Sequence, residues 1–174
     1  AVLFMVNHPN GLIDPLIVTT NNPRTNYFLV RAASFKKPLI KRFLNSLNLM
    51  PIYRMRDGVK QLGNNAEIFD KCYDLLNQHK ALIIFPEGSH NHKRTVRNLS
   101  KGFSRIIFGA LERNPTLKIH IISVGVTYQN PSIYPSNVCI HYGTPILAND
   151  YYKPKVIHSE IKRLKEKLTP DIIA

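Results

Sequence analysis

A histidine and an aspartate lie in a short polar segment, residues 7–14, that follows an apolar run. Histidine can take a proton near neutral pH, and a carboxylate bonded to its second ring nitrogen fixes the tautomer and stabilises the imidazolium. Residues 9–11 are Pro, Asn and Gly, which favour a tight turn that lets His8 meet Asp14. The pair suits general-base chemistry on a hydroxyl group. The structural alternative is that Asp14 caps a helix with Pro15 at its first position.

Two further segments carry groups suited to a phosphorylated substrate. Residues 85–89 read Phe-Pro-Glu-Gly-Ser after an apolar run, and this predicts a rigid turn that exposes the Glu87 carboxylate and backbone N–H groups. The alternative is an ordinary strand-to-loop turn with a solvated glutamate. Arg54 ends another strand-like run, and a guanidinium matches phosphate oxygens in bidentate geometry. Its alternative role is a surface ion pair with Asp57.

Short apolar runs alternate with amphipathic stretches along the chain. The runs predict strands at residues 1–6, 27–30, 50–53, 81–85, 118–126 and 137–141. Periodic apolar residues predict helices at 38–48, 59–79, 102–113 and 159–168. This alternation predicts a single α/β domain whose mostly parallel central sheet is flanked by helices on both faces. In such folds the chemistry concentrates in loops at the carboxyl ends of strands, where the polar segments lie.

Composition restricts the class of partner. The chain has 24 Lys and Arg against 11 Asp and Glu, a formal net charge of +13. That surplus favours a polyanion, whether nucleic acid, an anionic membrane surface or a phosphorylated substrate. Cys72 and Cys139 lack zinc-site or redox-motif spacing and predict buried free thiols in a reducing compartment. No apolar stretch approaches the roughly 18 residues that cross a bilayer.

Four segments, in this order, resemble the ordered blocks of the glycerol-3-phosphate and 1-acylglycerol-3-phosphate acyltransferases, the PlsC-like lysophospholipid acyltransferases. They are residues 7–14, 51–54, 85–89 and 123–126. Residues 99–103 also resemble the Lys-Gly stretch that follows the third block, and residues 137–145, which end in Tyr-Gly-Thr-Pro, resemble the Gly-x-Pro segment after the fourth block. The resemblance covers residues 7–145, and its most specific part is the Pro-Glu-Gly block.

The resemblance implies transfer of a fatty acyl group from acyl-CoA or acyl-carrier protein to the hydroxyl of a lysophospholipid, above all 1-acylglycerol 3-phosphate, in phospholipid biosynthesis. No covalent acyl-enzyme, cofactor or metal is expected, and the acyl thioester is a co-substrate. His8 would be the general base, Asp14 its orienting partner, and Arg54 the holder of the acceptor phosphate. The fourth block would be a core strand lining an acyl channel. Further acceptor contacts would come from Glu87, Gly88, Ser89, Lys101 and Gly102.

The chain departs from the family pattern in three places. Five residues separate His8 from Asp14, one more than is usual, and we expect Gly11 to absorb the extra residue because glycine tolerates positive φ. Ser123 stands where the family commonly has Pro. His90 stands where the family often has Arg, so the phosphate contact would pass to a neighbouring basic side chain: His92, Lys93 or Arg94.

The chain begins inside a strand-like run without an initiator Met. We therefore expect residues 1–174 to be one acyltransferase catalytic domain that lacks an N-terminal segment. The lipid substrates and the basic charge predict residence at the cytoplasmic face of a membrane, either peripherally or through that segment.

Two other functional classes compete with this interpretation. The His-Asn-His sequence at residues 90–92 echoes a nuclease motif, but no Cys/His ligand set accompanies it, and we expect no nucleic-acid partner. A catalytically inactive lipid-binding domain would keep the same fold. The presence of all four key side chains argues against that alternative: His8, Asp14, Arg54 and Glu87.

Overall fold

The structure is a computed structural model that describes residues 1–11, 13–54, 63, 65–89, 97–153 and 157–173. Its strands are β1 (Val2–Val6), β2 (Asn26–Arg31), β3 (Leu49–Ile52), β4 (Ala81–Ile84), β5 (His120–Tyr128), β6 (Val138–Tyr142) and β7 (Ile146–Leu147). Its helices are α1 (Ile13–Thr20), α2 (Pro38–Ser46), α3 (Asn65–Asn77), α4 (Gly102–Arg113) and α5 (Ile157–Ile173). Short 3₁₀ helices span Ala32–Phe35 and Ala148–Tyr151.

All the strands join one sheet in the order β3-β2-β4-β1-β5-β6, with β7 paired to β5. Strand β1 pairs in parallel with β4 and β5, and β2 pairs in parallel with β3 and β4. Only β6 and β7, among the described strands, run antiparallel to a neighbour. The carboxyl ends of β1 to β5 therefore meet at a single edge of the sheet, termed here the carboxyl edge.

Helices cover both faces of the sheet, so the central strand β1 is buried along its whole length. Its side chains alternate between the faces. Leu3 and Met5 pack in a core shared with α3, α4 and α5. The other face packs against Val18 of α1 and contains Val2, Phe4 and Val6. The α/β class that the sequence predicted, with helices on both faces of a mostly parallel sheet, is confirmed.

Helix α1 was not predicted from apolar periodicity and was raised only by the alternative in which Asp14 caps a helix. Its sequence, IDPLIVTT, is rich in β-branched residues, which are weak helix formers. Pro15 lies in the first turn, where its missing N–H costs no helical hydrogen bond. Val18 is fully buried against the sheet. Tertiary packing, rather than intrinsic propensity, therefore decides the conformation of this segment.

Helix α2 forms where it was predicted, but it adds nothing to the core. None of its residues is buried. It contacts the edge strand β3 and the 3₁₀ helix at Ala32–Phe35, so it lies beside the sheet and leaves its apolar side uncovered.

The two cysteines are free thiols in different surroundings. Cys72 of α3 is fully buried, and burial raises the pKa of its thiol to about 12. Cys139 is exposed on the edge strand β6, so the prediction that both thiols are buried is wrong for Cys139. Alternate side chains of β6 point away from the core. Within the described residues, no helix combines the length and the apolar character that crossing a bilayer requires.

Candidate active site

The turn after β1 brings His8 and Asp14 together. Asp14 Oδ2 lies 2.8 Å from His8 Nδ1, although five residues separate them in sequence. The backbone N–H of Asp14 donates to the carbonyl of Asn10 over 3.3 Å and closes the turn. The extra residue therefore does not prevent the contact. The capping alternative is wrong, because Asp14 lies inside the first turn of α1 and its carboxylate faces the imidazole.

Three donors converge on the Asp14 carboxylate, which is fully buried. Oδ2 also accepts the backbone N–H of Asn10 over 2.7 Å, and Oδ1 accepts the Tyr128 hydroxyl over 2.6 Å. Burial and the hydrogen bond to Asp14 raise the pKa of Tyr128 above its ordinary range, so the phenol stays a donor. These bonds compensate the buried negative charge.

The network also selects the histidine tautomer. An ionised carboxylate only accepts hydrogen bonds, so His8 Nδ1 carries the hydrogen and Nε2 carries the lone pair. The imidazole ring stacks on Phe85, with centroids 4.2 Å apart and planes at 27°. Phe85 directly follows β4, the neighbour of β1 in the sheet. The ring of His8 is thus oriented by one hydrogen bond and one stacking contact.

Asn7 fixes the backbone that carries His8. Its side-chain amide donates to the carbonyl of Val126 over 3.0 Å and accepts the N–H of Val126 over 2.7 Å. The backbone N–H of Asn7 donates to the carbonyl of Val124 over 3.3 Å. This reciprocal contact extends the β1–β5 pairing beyond the last strand residue, so the turn begins from a defined position.

Arg54 lies at the same carboxyl edge as His8. Its Nη1 donates to the carbonyl of Gly88, in the turn that begins at Phe85. The Asn65 side chain holds the preceding residue in place: it accepts from the N–H of Tyr53 over 2.9 Å and donates to the Tyr53 carbonyl over 2.7 Å. The alternative partner, Asp57, lies outside the described residues.

The Pro-Glu-Gly turn differs from its prediction. Gly88 has a φ of 71°, which favours glycine, and its N–H donates to the carbonyl of Phe85 over 3.0 Å. The Glu87 side chain is only 5% exposed and pairs with Arg97 Nε over 2.9 Å. The prediction of an exposed carboxylate is therefore wrong, and so is the solvated alternative, because Arg97 covers the group.

Arg97 also holds Ser89. Its Nη1 donates to the Ser89 hydroxyl over 2.8 Å, and its Nη2 donates to the Ser89 carbonyl. The fork of one guanidinium thus joins both ends of the Glu87–Ser89 turn. Arg97 and Arg54 are thus both bonded to this turn. The three basic side chains expected to take over the phosphate contact, His92, Lys93 and Arg94, lie outside the described residues, as does His90.

Lys101 and Gly102 lie at the start of α4, close to the same turn. The backbone N–H of Ser100 donates to the carbonyl of Pro86 over 2.8 Å, which ties this segment to the Pro-Glu-Gly block. Lys165 of α5 donates to the carbonyl of Leu99. Burial and the nearby Lys101 lower the pKa of Lys165. A second cation therefore accompanies Lys101.

The fourth block lies in β5, where Ser123, Val124 and Val126 are buried. It is a core strand, as the resemblance implied. No group of three or more His, Cys, Asp or Glu within the described ranges is arranged to hold a metal ion. The His-Asn-His segment at residues 90–92 lies outside those ranges.

Sequence reasoning missed four side chains of this site: Asn7, Asn65, Arg97 and Tyr128. Alternation along β5 does carry a signal for Tyr128, since every second side chain shares the face of Val124 and Val126. Nothing in the sequence distinguishes Arg97 from the other basic residues of its loop. The two asparagines bond to backbone groups, which leave no trace in a pattern of residue types.

Comparison with known proteins supports the resemblance to acyltransferases. A family model described as Acyltransferase matches residues 1–127. The glycerol-3-phosphate O-acyltransferase 2 of Saccharomyces cerevisiae is 27% identical over 89 residues, 51% of this chain and 12% of that protein. The glycerol-3-phosphate O-acyltransferase 1 of the same yeast is 22% identical over 107 residues, 59% of this chain and 14% of that protein. The chain thus corresponds to a small part of the length of these relatives.

The fold has a counterpart among solved structures. The crystal structure of the 1-acyl-sn-glycerophosphate (LPA) acyltransferase PlsC from Thermotoga maritima superposes with a TM-score of 0.59 at 13% identity. The match covers 99% of this chain and 66% of that one. At this identity the likeness concerns the fold alone. The family model spans most of the chain, including the His8 turn and the Pro-Glu-Gly block, and the chain therefore belongs to the acyltransferase family.

Proposed function

We propose that the protein transfers a fatty acyl group from acyl-CoA or acyl-carrier protein to the free hydroxyl of a phosphorylated glycerolipid, 1-acylglycerol 3-phosphate in the first instance. The observation that carries this proposal is the 2.8 Å contact between His8 Nδ1 and the buried Asp14 carboxylate. A general base of this kind suits acyl transfer from a thioester to an alcohol.

In the proposed reaction, the acceptor hydroxyl attacks the thioester carbonyl carbon while His8 Nε2 takes the hydroxyl proton. Asp14 stabilises the imidazolium that forms, and the Asn10 and Tyr128 donors keep its carboxylate in place. The tetrahedral intermediate then expels the thiolate, which receives the proton from Nε2. The histidine returns to its starting tautomer, and no acyl group is ever bonded to the protein.

The acceptor phosphate would be held by basic groups at the carboxyl edge. Arg54 is the first candidate, since its guanidinium already contacts the turn at Gly88. Arg97 and Lys101 border the same turn. Glu87, Gly88, Ser89 and Gly102 would shape the site, with Glu87 acting through its pair with Arg97 rather than by direct contact. Guanidinium groups are suited to this because they bind phosphate oxygens in pairs.

The acyl chain needs an apolar surface beside His8, and exposed apolar side chains flank the turn. Leu16 of α1 is 58% exposed. Ile133 is 62% exposed and belongs to the β5–β6 loop, which the Asn10 side chain contacts at the carbonyl of Pro131 over 3.3 Å. With the net charge of +13, these features suit work at an anionic membrane surface, for which we propose the cytoplasmic face. No cofactor enters the scheme.

Glycerol 3-phosphate is a second candidate acceptor. The two yeast relatives are named for it. Both acceptors offer a hydroxyl and a phosphate to the same groups, so the choice between them depends on how the site treats the acyl chain that only one of them carries.

The test is thiol release from a fixed acyl-CoA with 1-acylglycerol 3-phosphate, glycerol 3-phosphate or 1-acylglycerophosphocholine as acceptor, with the donor then replaced by acyl-carrier protein. Fastest release with 1-acylglycerol 3-phosphate, lost in His8→Ala, supports the proposal. Fastest release with glycerol 3-phosphate would select the second candidate. Binding of the lipids without thiol release from either donor would identify an inactive lipid-binding domain instead.

A further inference from the structure

Helix α2 presents an apolar face to solvent. Leu39 is 80% exposed and Phe43 is 63% exposed, and Ile40 and Leu47 continue the same face at 42% and 48%. Residues spaced by one, three and four positions share one side of a helix. Leu44, on the flank of this face, is half-buried against the rest of the protein. The described residues therefore cover one flank of the helix and leave its most apolar stripe in water.

Basic side chains surround this face. Lys36 and Lys37 precede the helix, and Lys41 and Arg42 occupy the side away from Leu39 and Phe43, all four exposed. Residues 36–48 contain no Asp or Glu. An apolar stripe whose charged neighbours are all cations is typical of helices that lie in the interface of an anionic bilayer, where headgroups meet the charges and acyl chains meet the apolar residues.

The first turn of α2 lies at the carboxyl edge of the sheet. Because β2 and β3 are parallel, the helix that joins them must begin near the carboxyl edge and run back toward the opposite edge. Its first turn, with Leu39, therefore lies on the side of the molecule where Arg54 and His8 are found.

We propose that the apolar face of α2 is a docking surface for an anionic lipid bilayer, with Leu39 and Phe43 inserted below the headgroups. It deepens the proposed function by naming the element that holds the carboxyl edge against the membrane. It does not depend on catalysis, and its test uses binding alone.

The chain contains no tryptophan, so a single introduced tryptophan is an unambiguous reporter. Leu39→Trp is mixed with phosphatidylcholine vesicles that either contain or lack phosphatidylserine. We expect its emission to shift to the blue, and to be quenched by brominated acyl chains, only with the anionic vesicles. The matched control is Glu166→Trp on α5, because the Glu166 side chain is 64% exposed. Helix α5 packs against β5, on the other side of the sheet's centre from β3 and α2. Unmoved emission from Leu39→Trp overturns the proposal, and so does an equal shift from the control.

Further variants measure how much the apolar and the basic side chains of α2 each contribute to vesicle binding. Leu39→Ser/Phe43→Ser should lower partitioning onto anionic vesicles by roughly tenfold to a hundredfold, because two large apolar side chains lose their burial. Lys41→Glu/Arg42→Glu should remove the preference for vesicles that contain phosphatidylserine. Lys162→Glu/Lys167→Glu on α5 makes the same change in net charge, and this control should largely retain the preference. Equal loss from both charge pairs would mean general attraction without a docking face.

A catalytic readout separates this proposal from the proposed function. All α2 variants should melt like the wild type, since the changed side chains are exposed, and should release thiol at the wild-type rate from detergent-dispersed substrates. His8→Ala should bind vesicles normally. Loss of vesicle binding with retained thiol release in the α2 variants therefore supports the docking surface. Loss of thiol release with retained vesicle binding in His8→Ala supports the role of the His8–Asp14 pair. Failure of the wild type itself to bind anionic vesicles would overturn the docking proposal and leave the acyl transfer untouched.

Discussion

Asp14 and Glu87 are two buried carboxylates at the same edge of the sheet, and the protein holds them in different ways. Asp14 accepts from His8, from the backbone of Asn10 and from a phenol, none of which is a strongly basic side chain. Glu87 is paired with the guanidinium of Arg97, whose side chain is 33% exposed. The first arrangement resists salt and anionic ligands, whereas the second contains the very group that a phosphate binds. The proposed function therefore assigns orientation of the base to Asp14 and capture of the substrate to the surroundings of Glu87.

The strongest test of the Asp14 arrangement removes the base that it orients. His8→Ala should lower kcat by roughly 10²–10⁴, the usual contribution of a positioned general base, and should also lower the free energy of unfolding by about 1–2 kcal/mol, because the buried Asp14 carboxylate loses one donor. The matched control is His120→Ala, which changes an exposed histidine at the start of β5, away from the carboxyl edge. Turnover within a fewfold of wild type in the first variant would remove His8 from the mechanism.

Asp14→Asn keeps the shape of the side chain and removes its charge. An amide cannot accept all three donors, so the imidazole should lose its fixed tautomer and kcat should again fall on the order of 10²–10⁴. This variant leaves buried donors unsatisfied, so its free energy of unfolding should also drop, by about 1–3 kcal/mol. Chemical denaturation measures the drop. Asp70→Asn, an exposed carboxylate, should show neither effect.

Arg54→Ala addresses the second arrangement, substrate capture. Loss of a charge-assisted phosphate contact, worth about 1.5–3 kcal/mol, should raise the KM for the acceptor by roughly tenfold to a hundredfold and leave the KM for the donor nearly unchanged. Arg54→Lys should recover part of the loss, because it keeps the charge without the fork. If acceptor affinity persists while the unfolding free energy falls, Arg54 serves only to hold the Gly88 carbonyl.

Tyr128→Phe removes one of the three donors to Asp14. The free energy of unfolding should fall by about 1–2 kcal/mol near neutral pH. The pKa of Tyr128 is raised in the folded protein, so the unfolded chain releases the phenol proton first as pH rises through about 10, and the wild type loses this stabilisation there. The difference in free energy of unfolding between wild type and variant should therefore become smaller above that pH. A difference that becomes larger would contradict the hydrogen bond.

Arg97→Lys should give the smallest effect. It keeps the charge beside Glu87 but loses the fork that holds Ser89, and the site is partly exposed, so the acceptor KM should rise about fivefold, or about 1 kcal/mol. Added salt should raise the acceptor KM of the wild type by a similar factor while leaving the His8 effect intact. If salt changes kcat and the acceptor KM equally, the proposed division of roles between Asp14 and Glu87 is wrong.

The parts of the molecule that the sequence predicted are those with local causes. Alternating apolar runs and amphipathic stretches indicated the strands, and parallel pairing then followed from their order. The contact between His8 and Asp14 was accessible for the same reason, because both residues belong to one turn. Their catalytic roles, and those of Arg54 and Lys101, stay predictions for the variants above.

The parts that escaped prediction depend on residues distant in sequence. Tyr128 reaches Asp14 across 114 positions, and only the pairing of β1 with β5 brings them together. Arg97 was indistinguishable from its basic neighbours, and its capture of Glu87 reversed the expected exposure of that carboxylate. The amphipathic pattern of α2 indicated an apolar face, but a pattern cannot say what covers that face. Helix α1 formed against its own propensity because Val18 packs on the sheet.

The central position of β1 has a consequence for how the protein is made. Val2 pairs with Ala81 on one side and His120 on the other, so this fully buried strand leaves the ribosome long before either neighbour. At about 5–20 residues per second, the wait is on the order of ten seconds, during which an apolar strand with two open edges is available to chaperones or to aggregation. Such non-local pairing also slows folding. Because Tyr128 ends the last of these strands, a nascent chain that stops short of it cannot complete the surroundings of Asp14, and the proposed base reaches its final environment only when β5 has joined the sheet.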